Sequence, residues 1–396
     1  MPRLKARVKN KSVSRSLRAT GKNSTGSTVS TRLTRALPGP IDLHFHGALG
    51  VDFMTADEAL LDELCHDLGQ RALSGFCATT LSVEASPLAE TVSRLGPWIR
   101  KIHDRLSEEK SARDQGALPL GIHLEGPFLS PEARGAHPPG AIRALHLAEL
   151  DSLWELSRGT LKILTVAPET LSPDETRRLA LWCKIRKIHL SLGHSRATET
   201  QARDALDAGF TGITHAWNAM PFHHREPGPL GAALGRKGVA VELIVDEVHV
   251  HPTVLRWTEA LHQGAPLCWI SDGAPAAGLP EGQPTAFGPL RIHSKDGACR
   301  IINPDGRDGG LAGGGLLLPD CFARQVTLEA ARTGIQPERL ITRFLPHVSR
   351  HPQKTLAIPA GSALGRALNR RRVRWRIGPA ARRGQLAAIS PIAQFL

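Results

Sequence analysis

The sequence predicts an α/β fold, a (β/α)8 TIM-type barrel, and three observations carry that prediction. Eight short apolar segments alternate with segments of helical period from Pro38 onward. Most of these segments are bounded by glycine, proline or small polar residues, as buried strands are. The polar residues that break the apolar pattern gather where the segments end, and a barrel of this kind carries its chemistry at the C-terminal ends of its strands.

Taken in order, residues 1–37 hold ten Lys or Arg and no acid, are rich in Ser and Thr, and lack apolar periodicity. They read as a disordered basic extension. Organelle transit peptides share this composition, an unstructured extension being the plainer reading. The eight expected strands are 41–45, 75–81, 118–124, 161–166, 188–192, 211–214, 239–245 and 267–271. Helices are expected at 57–73, 87–106, 173–186, 198–208 and 252–263, with Ser172-Pro173 and Thr253 near cap positions. Beyond the barrel, 289–302 reads as a hairpin turning at Lys295-Asp296-Gly297, Gly309 to Gly315 as a glycine-rich loop, and 320–334 and 337–345 as helices. The domain reading is therefore an extension at 1–37, a barrel at 38–350 and a basic C-terminal segment at 351–396.

The net charge of +13 is unevenly spread. With the basic residues of 1–37 and 366–396 set aside, 38–365 carries 32 Lys or Arg against 37 Asp or Glu, so the body is mildly acidic. Neither tail interleaves aromatics with its charges, and no nucleic-acid partner is expected. No apolar run approaches the roughly 20 residues that span a bilayer, so no membrane partner is expected either. Six cysteines, at 65, 77, 183, 268, 299 and 321, show no C-x-x-C spacing. They suit buried thiols in a reducing compartment, the cytoplasm.

The chemistry centres on residues 121–137, Gly-Ile-His-Leu-Glu-Gly-Pro-Phe-Leu-Ser-Pro-Glu-Ala-Arg-Gly-Ala-His. Glu125 sits where a buried strand gives way to a loop, and a carboxylate there costs several kcal/mol of desolvation unless a cation or hydrogen-bond donors meet it. Other strand ends supply histidines: His44 and His46 on the first, His194 on the fifth, His215 on the sixth, with Asp272 on the eighth. Alternate strand residues point the same way, so His44 and His46 project together. Imidazoles and a carboxylate suit Zn²⁺, with Fe²⁺, Mn²⁺ or Co²⁺ compatible, and Asp272 fits a proton carrier for amide hydrolysis. A lone histidine at a strand end is more often structural; six such residues on five strand ends argue for a site.

These residues lie in motifs that resemble the amidohydrolase superfamily and, within it, the N-acetylglucosamine-6-phosphate deacetylase family. The motifs are Ile-Asp-Leu-His-Phe-His-Gly (41–47), the 121–131 segment with Gly135-Ala136-His137, Leu-Gly-His-Ser (192–195), Thr-His-Ala-Trp-Asn-Ala-Met (214–220), His-Arg-Glu-Pro-Gly (224–228), His-Val-His-Pro (249–252) and Ser-Asp-Gly-Ala (271–274). The resemblance implies a barrel of the metal-dependent hydrolase kind and removal of the acetyl group from N-acetyl-D-glucosamine 6-phosphate in amino-sugar catabolism. It implies that Glu125, His194 and His215 hold the main metal, His44 and His46 a second one, and that Asp272 is the acid/base. His137 would face the sugar and acyl group, and Asn218, Ala219, Arg225 and His249 the phosphate. One phosphate contact comes from a neighbouring subunit in that family, which implies a homodimer with one or two ions per subunit. His189, His223, His224 and His251 are read as supporting or surface residues.

The sequence departs from the family pattern in five places. The short N-terminal strands of the family are not evident in 1–37, and Ile377-Gly378-Pro379 with Gln385 to Ile389 resemble a decayed closing strand, so the small β-sandwich is expected to be absent or degraded. Asp246-Glu247 replaces Asp-Gly, putting a carboxylate beside His249 where it would oppose phosphate. Leu311-Ala312-Gly313-Gly314 replaces Leu-Ala-Gly-Ser, and Cys321-Phe322-Ala323 is a looser match. The same chemistry on N-acetylgalactosamine 6-phosphate or an N-acyl amino acid, and a non-catalytic sugar-phosphate-binding protein, are the competing expectations.

Overall fold

Eight parallel strands lie side by side in one sheet: β1 (Ile41–Phe45), β2 (Gly75–Thr80), β3 (Leu118–Glu125), β4 (Leu161–Val166), β5 (His189–Leu192), β6 (Gly212–Ile213), β7 (Ala240–Ile244) and β8 (Leu267–Ile270). Their spatial order runs from β8 down to β1 without a crossing, each strand pairing with its sequence neighbour. The computed structural model describes residues 31–108, 116–262, 264–378 and 389–395. The reading of 1–30 as a disordered extension, and of 385–388 within the closing segment, falls outside those residues.

The sheet closes through one parallel bridge, Phe45 to Gly273, reinforced by His46 N–H donating to the Gly273 carbonyl at 2.8 Å and the Ser271 hydroxyl donating to Asp42 at 2.5 Å. Only glycine fits at 273, because a Cβ there would stand 2.7 Å from the Phe45 ring. Every residue of β1, β2, β3, β7 and β8 is buried. That explains why these strands read as continuous apolar runs rather than alternating ones.

Helices α1 (Glu58–Gln70), α2 (Ala85–Ser107), α3 (Leu147–Leu156), α4 (Pro173–Arg186), α5 (Glu199–Ala208), α6 (Gly228–Ala233), α7 (Pro252–Leu261) and α8 (Leu318–Thr333) follow the strands in turn. The expected start of α4 is met by a capping box, in which Ser172 and Glu175 each accept from the other's backbone N–H. The cap of α7 falls on His251 rather than Thr253, its ring accepting the Thr253 N–H at 3.2 Å. Among the described residues no helix is long and apolar enough to cross a membrane. All six cysteines are buried.

Beside a short ribbon pairing Gly47–Ala48 with Val51–Asp52, two four-stranded antiparallel sheets accompany the barrel. One takes Thr285–Phe287, Leu290–Lys295, Ala298–Ile302 and Asp308–Gly314 in order. The expected turn is there, with Asp296 and Gly297 both at positive φ, as a two-residue hairpin turn needs. The expected glycine-rich loop is instead the last of these strands. A Cβ at Gly314 would lie 2.1 Å from the Ser271 carbonyl oxygen and one at Gly313 2.7 Å from the Asp272 carbonyl oxygen, so these two glycines serve close packing and no serine fits at 314.

The other sheet joins the chain ends: Arg371–Ile377 pairs with Ile389–Phe395, with Arg32–Leu33 and with Leu37–Pro38. A small β-unit is thus present in reduced form, and strand structure begins before residue 38. The run Arg-Arg-Val-Arg-Trp-Arg-Ile buries Val373, Trp375 and Ile377. Its period-2 pattern is hidden by the interleaved arginines, which is why it reads as a charge run.

Candidate metal centre

The site is built by position within each strand. Glu125 is the last residue of β3, while His194, His215 and Asp272 each stand two residues beyond the ends of β5, β6 and β8. These three share a left-handed backbone, with φ of 46°, 30° and 53°. Non-glycine residues pay roughly 1–3 kcal/mol for that conformation, a strain that accumulates at functional sites. Gly193 lets β5 turn there, since a Cβ would lie 2.7 Å from Thr165 and 2.8 Å from Thr214.

Glu125 is 2% exposed and faces five histidines with its two oxygens. Its Oε1 lies 2.9 Å from His215 Nε2 and 3.2 Å from both His194 Nε2 and His44 Nε2. Its Oε2 lies 3.3 Å from His46 Nε2. The Nε2 atoms of His194 and His215 are 3.0 Å apart. His194 Nδ1 donates to the Ala133 carbonyl at 2.8 Å, which leaves a bare lone pair on its Nε2. Asp272 Oδ1 lies 3.3 Å from His44 Nε2 and 3.4 Å from His46 Nε2.

Three groups here could each hold an ion: His44, His46 and Asp272; His44, Glu125 and His215; Glu125, His137 and His194. Buried lone pairs and carboxylate oxygens at such separations repel unless a cation lies among them, so the donor set fits a divalent metal. Burial works against charge on Glu125, yet His44, His137 and His194 hold its carboxyl well below the usual range. Asp272 is likewise pushed down, burial being outweighed by His44 and His46. Burial opposes charge on His44 too, but Glu125 and Asp272 raise its pKa well above the usual value.

His137 is held differently. The Ser82 backbone N–H donates to its Nδ1 at 3.1 Å, so the ring proton sits on Nε2, 3.2 Å from Glu125 Oε2. Burial drops its pKa to about 4, which makes it a neutral N–H donor near pH 7.

A cavity of about 490 Å³ opens above these groups, with His46, Glu125, His194, His215 and Asp272 at its floor. His137, Asn218, Ala219 and His249 stand in its wall. His44 is fully buried beneath it. Arg225 is exposed and, among the described residues, outside that lining. Glu247 does not face His249: its Oε1 lies 2.8 Å from Arg324 Nε, and it lines a separate cavity of about 230 Å³. The carboxylate expected beside His249 is therefore paired with Arg324 instead. His249 instead bonds Asp246, Nδ1 to Oδ2 at 2.6 Å. His223, His224 and His251 are exposed, and His189 is half-buried with its ring on the Thr211 hydroxyl. The sequence reading missed Phe287, which with Leu311 to Gly313, noted there as a departure from the family motif, brings the hairpin sheet to the cavity mouth.

No family model matches the chain. An N-acetylglucosamine-6-phosphate deacetylase from Lysinibacillus sphaericus is 31% identical over 296 residues, 74% of this chain and 71% of that protein. The chain belongs to the N-acetylglucosamine-6-phosphate deacetylase family. The deacetylase of that name from Bacillus subtilis (strain 168) is 39% identical over 238 residues, 60% of this chain. That match spans 57% of the Bacillus protein's own length. The fold agrees with a solved deacetylase structure, a mutant from Mycobacterium smegmatis in complex with N-acetyl-D-glucosamine-6-phosphate. Its TM-score is 0.70 at 29% identity, covering 83% of this chain and 80% of that one.

Proposed function

We propose that this chain is a metal-dependent deacetylase that converts N-acetyl-D-glucosamine 6-phosphate to D-glucosamine 6-phosphate and acetate. The observation that carries this reading is the meeting of Glu125 Oε1, His194 Nε2 and His215 Nε2 within 3.2 Å of one another, with Asp272 beside the two remaining histidines. Glu125, His194 and His215 would hold the main ion, and His44 and His46 a second. A bound divalent metal, most simply Zn²⁺, with Fe²⁺, Mn²⁺ or Co²⁺ also compatible, makes water more acidic and polarises a carbonyl.

The chain's own groups account for the proton movements. Asp272, ionised near neutrality, takes a proton from water as the water oxygen adds to the acetyl carbonyl carbon. His137 donates its Nε2–H to the oxygen on which negative charge develops. Asp272 then passes its proton to the amide nitrogen, the C–N bond breaks, and acetate and the free amine leave. His249 and the loop at Asn218 and Ala219 suit the phosphate end. Arg225, exposed and away from its own cavity, suits the contact that a neighbouring subunit would supply in a homodimer. The buried cysteines fit a cytoplasmic setting.

The test is acetate release from N-acetylglucosamine 6-phosphate, its 4-epimer N-acetylgalactosamine 6-phosphate, and unphosphorylated N-acetylglucosamine. The reading expects the first to have the highest kcat/KM. Equal turnover with and without phosphate would count against it, and preference for the epimer would reassign the substrate.

A further inference from the structure

Glu242 lies midway along β7, inside the barrel and beneath the cavity, and is 2% exposed. Among the described residues neither of its carboxylate oxygens has a hydrogen-bond partner. A buried carboxylate left in that state is costly, so a proton donor must face it. His44 Nδ1 is the polar atom that does, 3.5 Å from Glu242 Oε2, and it too is buried without a hydrogen bond. The opposite edge of the same ring points upward, Nε2 lying 3.2 Å from both Glu125 Oε1 and His46 Nε2. His123 packs edge-on against the ring at 4.6 Å, which limits its rotation.

We infer that Glu242 is a positioning residue that keeps the His44 proton on Nδ1, so that Nε2 presents its lone pair to the metal. The inference rests on the metal-dependent reading above. A neutral imidazole carries one N–H, and the side that finds an acceptor decides which nitrogen remains a ligand. Glu242 acts through His44 and touches neither substrate nor ion. His194 obtains the same tautomer from the Ala133 carbonyl, so the two rings are set by different acceptors to one end.

The test uses the full chain, stripped of metal and titrated with Co²⁺ and with Zn²⁺ against a competing chelator, for the wild type, Glu242→Gln and Glu242→Leu. The weakest-held ion should bind about 10–100-fold more weakly in Glu242→Leu, and less severely in Glu242→Gln, which keeps an acceptor oxygen. The visible spectrum of the Co²⁺ form should change with it. In a His44→Asn background the same substitutions should cost less than about twofold, since the path through His44 is already cut. The metal-free melting temperature should hold or rise in Glu242→Leu, because a buried carboxylate has been removed.

Wild-type affinity and spectrum in both variants would overturn this inference alone. So would an equal loss with and without His44, or weaker binding that merely tracks a lowered metal-free melting temperature in the isosteric Glu242→Gln. Failure of the wild type to take up either ion would overturn the metal reading, and this inference with it.

Discussion

His194 and His215 bring their Nε2 atoms to 3.0 Å, although their strands are separated by a full helix and each ring is buried. Two ring nitrogens come so close only with something between them or beside them that both favour. For His194 the Nδ1 proton is already given to a carbonyl, so its Nε2 is a lone pair open to a metal ion or to an N–H of His215. The same reasoning separates the ligands from His137, whose Nδ1 receives a backbone N–H instead.

That contrast predicts the behaviour of His137→Ala. The protein should keep its full complement of metal while kcat falls about 10²–10³-fold, the usual loss when one donor to a developing oxyanion is removed. Metal analysis and steady-state kinetics on one preparation decide it. Loss of metal would make His137 a ligand.

The Asp246–His249 pair predicts a pH dependence. Burial disfavours charge on His249, but its bond to Asp246 and the charges of Asp246 and Asp272 raise its pKa above 6.5. Its contribution to stability is complete below about 6.5 and is lost as pH rises through the raised value. Its help to phosphate binding follows the same course, so KM for the phosphorylated substrate should rise on the alkaline side. Asp246→Asn should move that rise to lower pH, while unphosphorylated substrate shows no such step. Coincident KM profiles for wild type and variant would refute the pairing.

Glu247 is turned to Arg324, and its charge should be silent at the phosphate. Glu247→Gln should leave KM for the phosphorylated substrate within about twofold. Arg324→Met should cost less than about 1 kcal/mol, as expected of a partly exposed ion pair. Urea melts and initial rates measure both.

Trp375 anchors the chain-end sheet, fully buried with its ring 4.7 Å from Phe322 of α8. Trp375→Ala should cost about 3–5 kcal/mol by thermal or urea unfolding. Trp375→Phe should cost much less, because the indole N–H is buried without a hydrogen bond among the described residues and its loss offsets part of the lost packing.

The barrel is legible in the sequence because strands covered on both sides need unbroken apolar runs, and the groups that break the pattern at their ends then stand out. Glu125, His194, His215 and Asp272 could be picked for that reason. The chain-end sheet is harder to see, since Arg371 to Ile377 alternates apolar residues with arginines and the charge masks the period. Gly309 to Gly315 misleads in the opposite way: Gly313 and Gly314, required by close approach to Asp272 and Ser271, look like the glycines of a loop. Glu242 is visible only as a lone acid in an apolar strand. Its relation to His44 exists across the barrel, between strands nearly 200 residues apart in sequence, and no local pattern encodes it.

The central claim is that Glu125 holds an ion while Asp272 moves protons, and metal content measured beside acetate release on Glu125→Gln and Asp272→Asn tests it most directly. Asp272→Asn should retain its metal and lose at least about 10²-fold in turnover of N-acetylglucosamine 6-phosphate, whereas Glu125→Gln should lose metal and turnover together. Near-normal turnover in Asp272→Asn, or a full complement of metal in Glu125→Gln, would contradict the account.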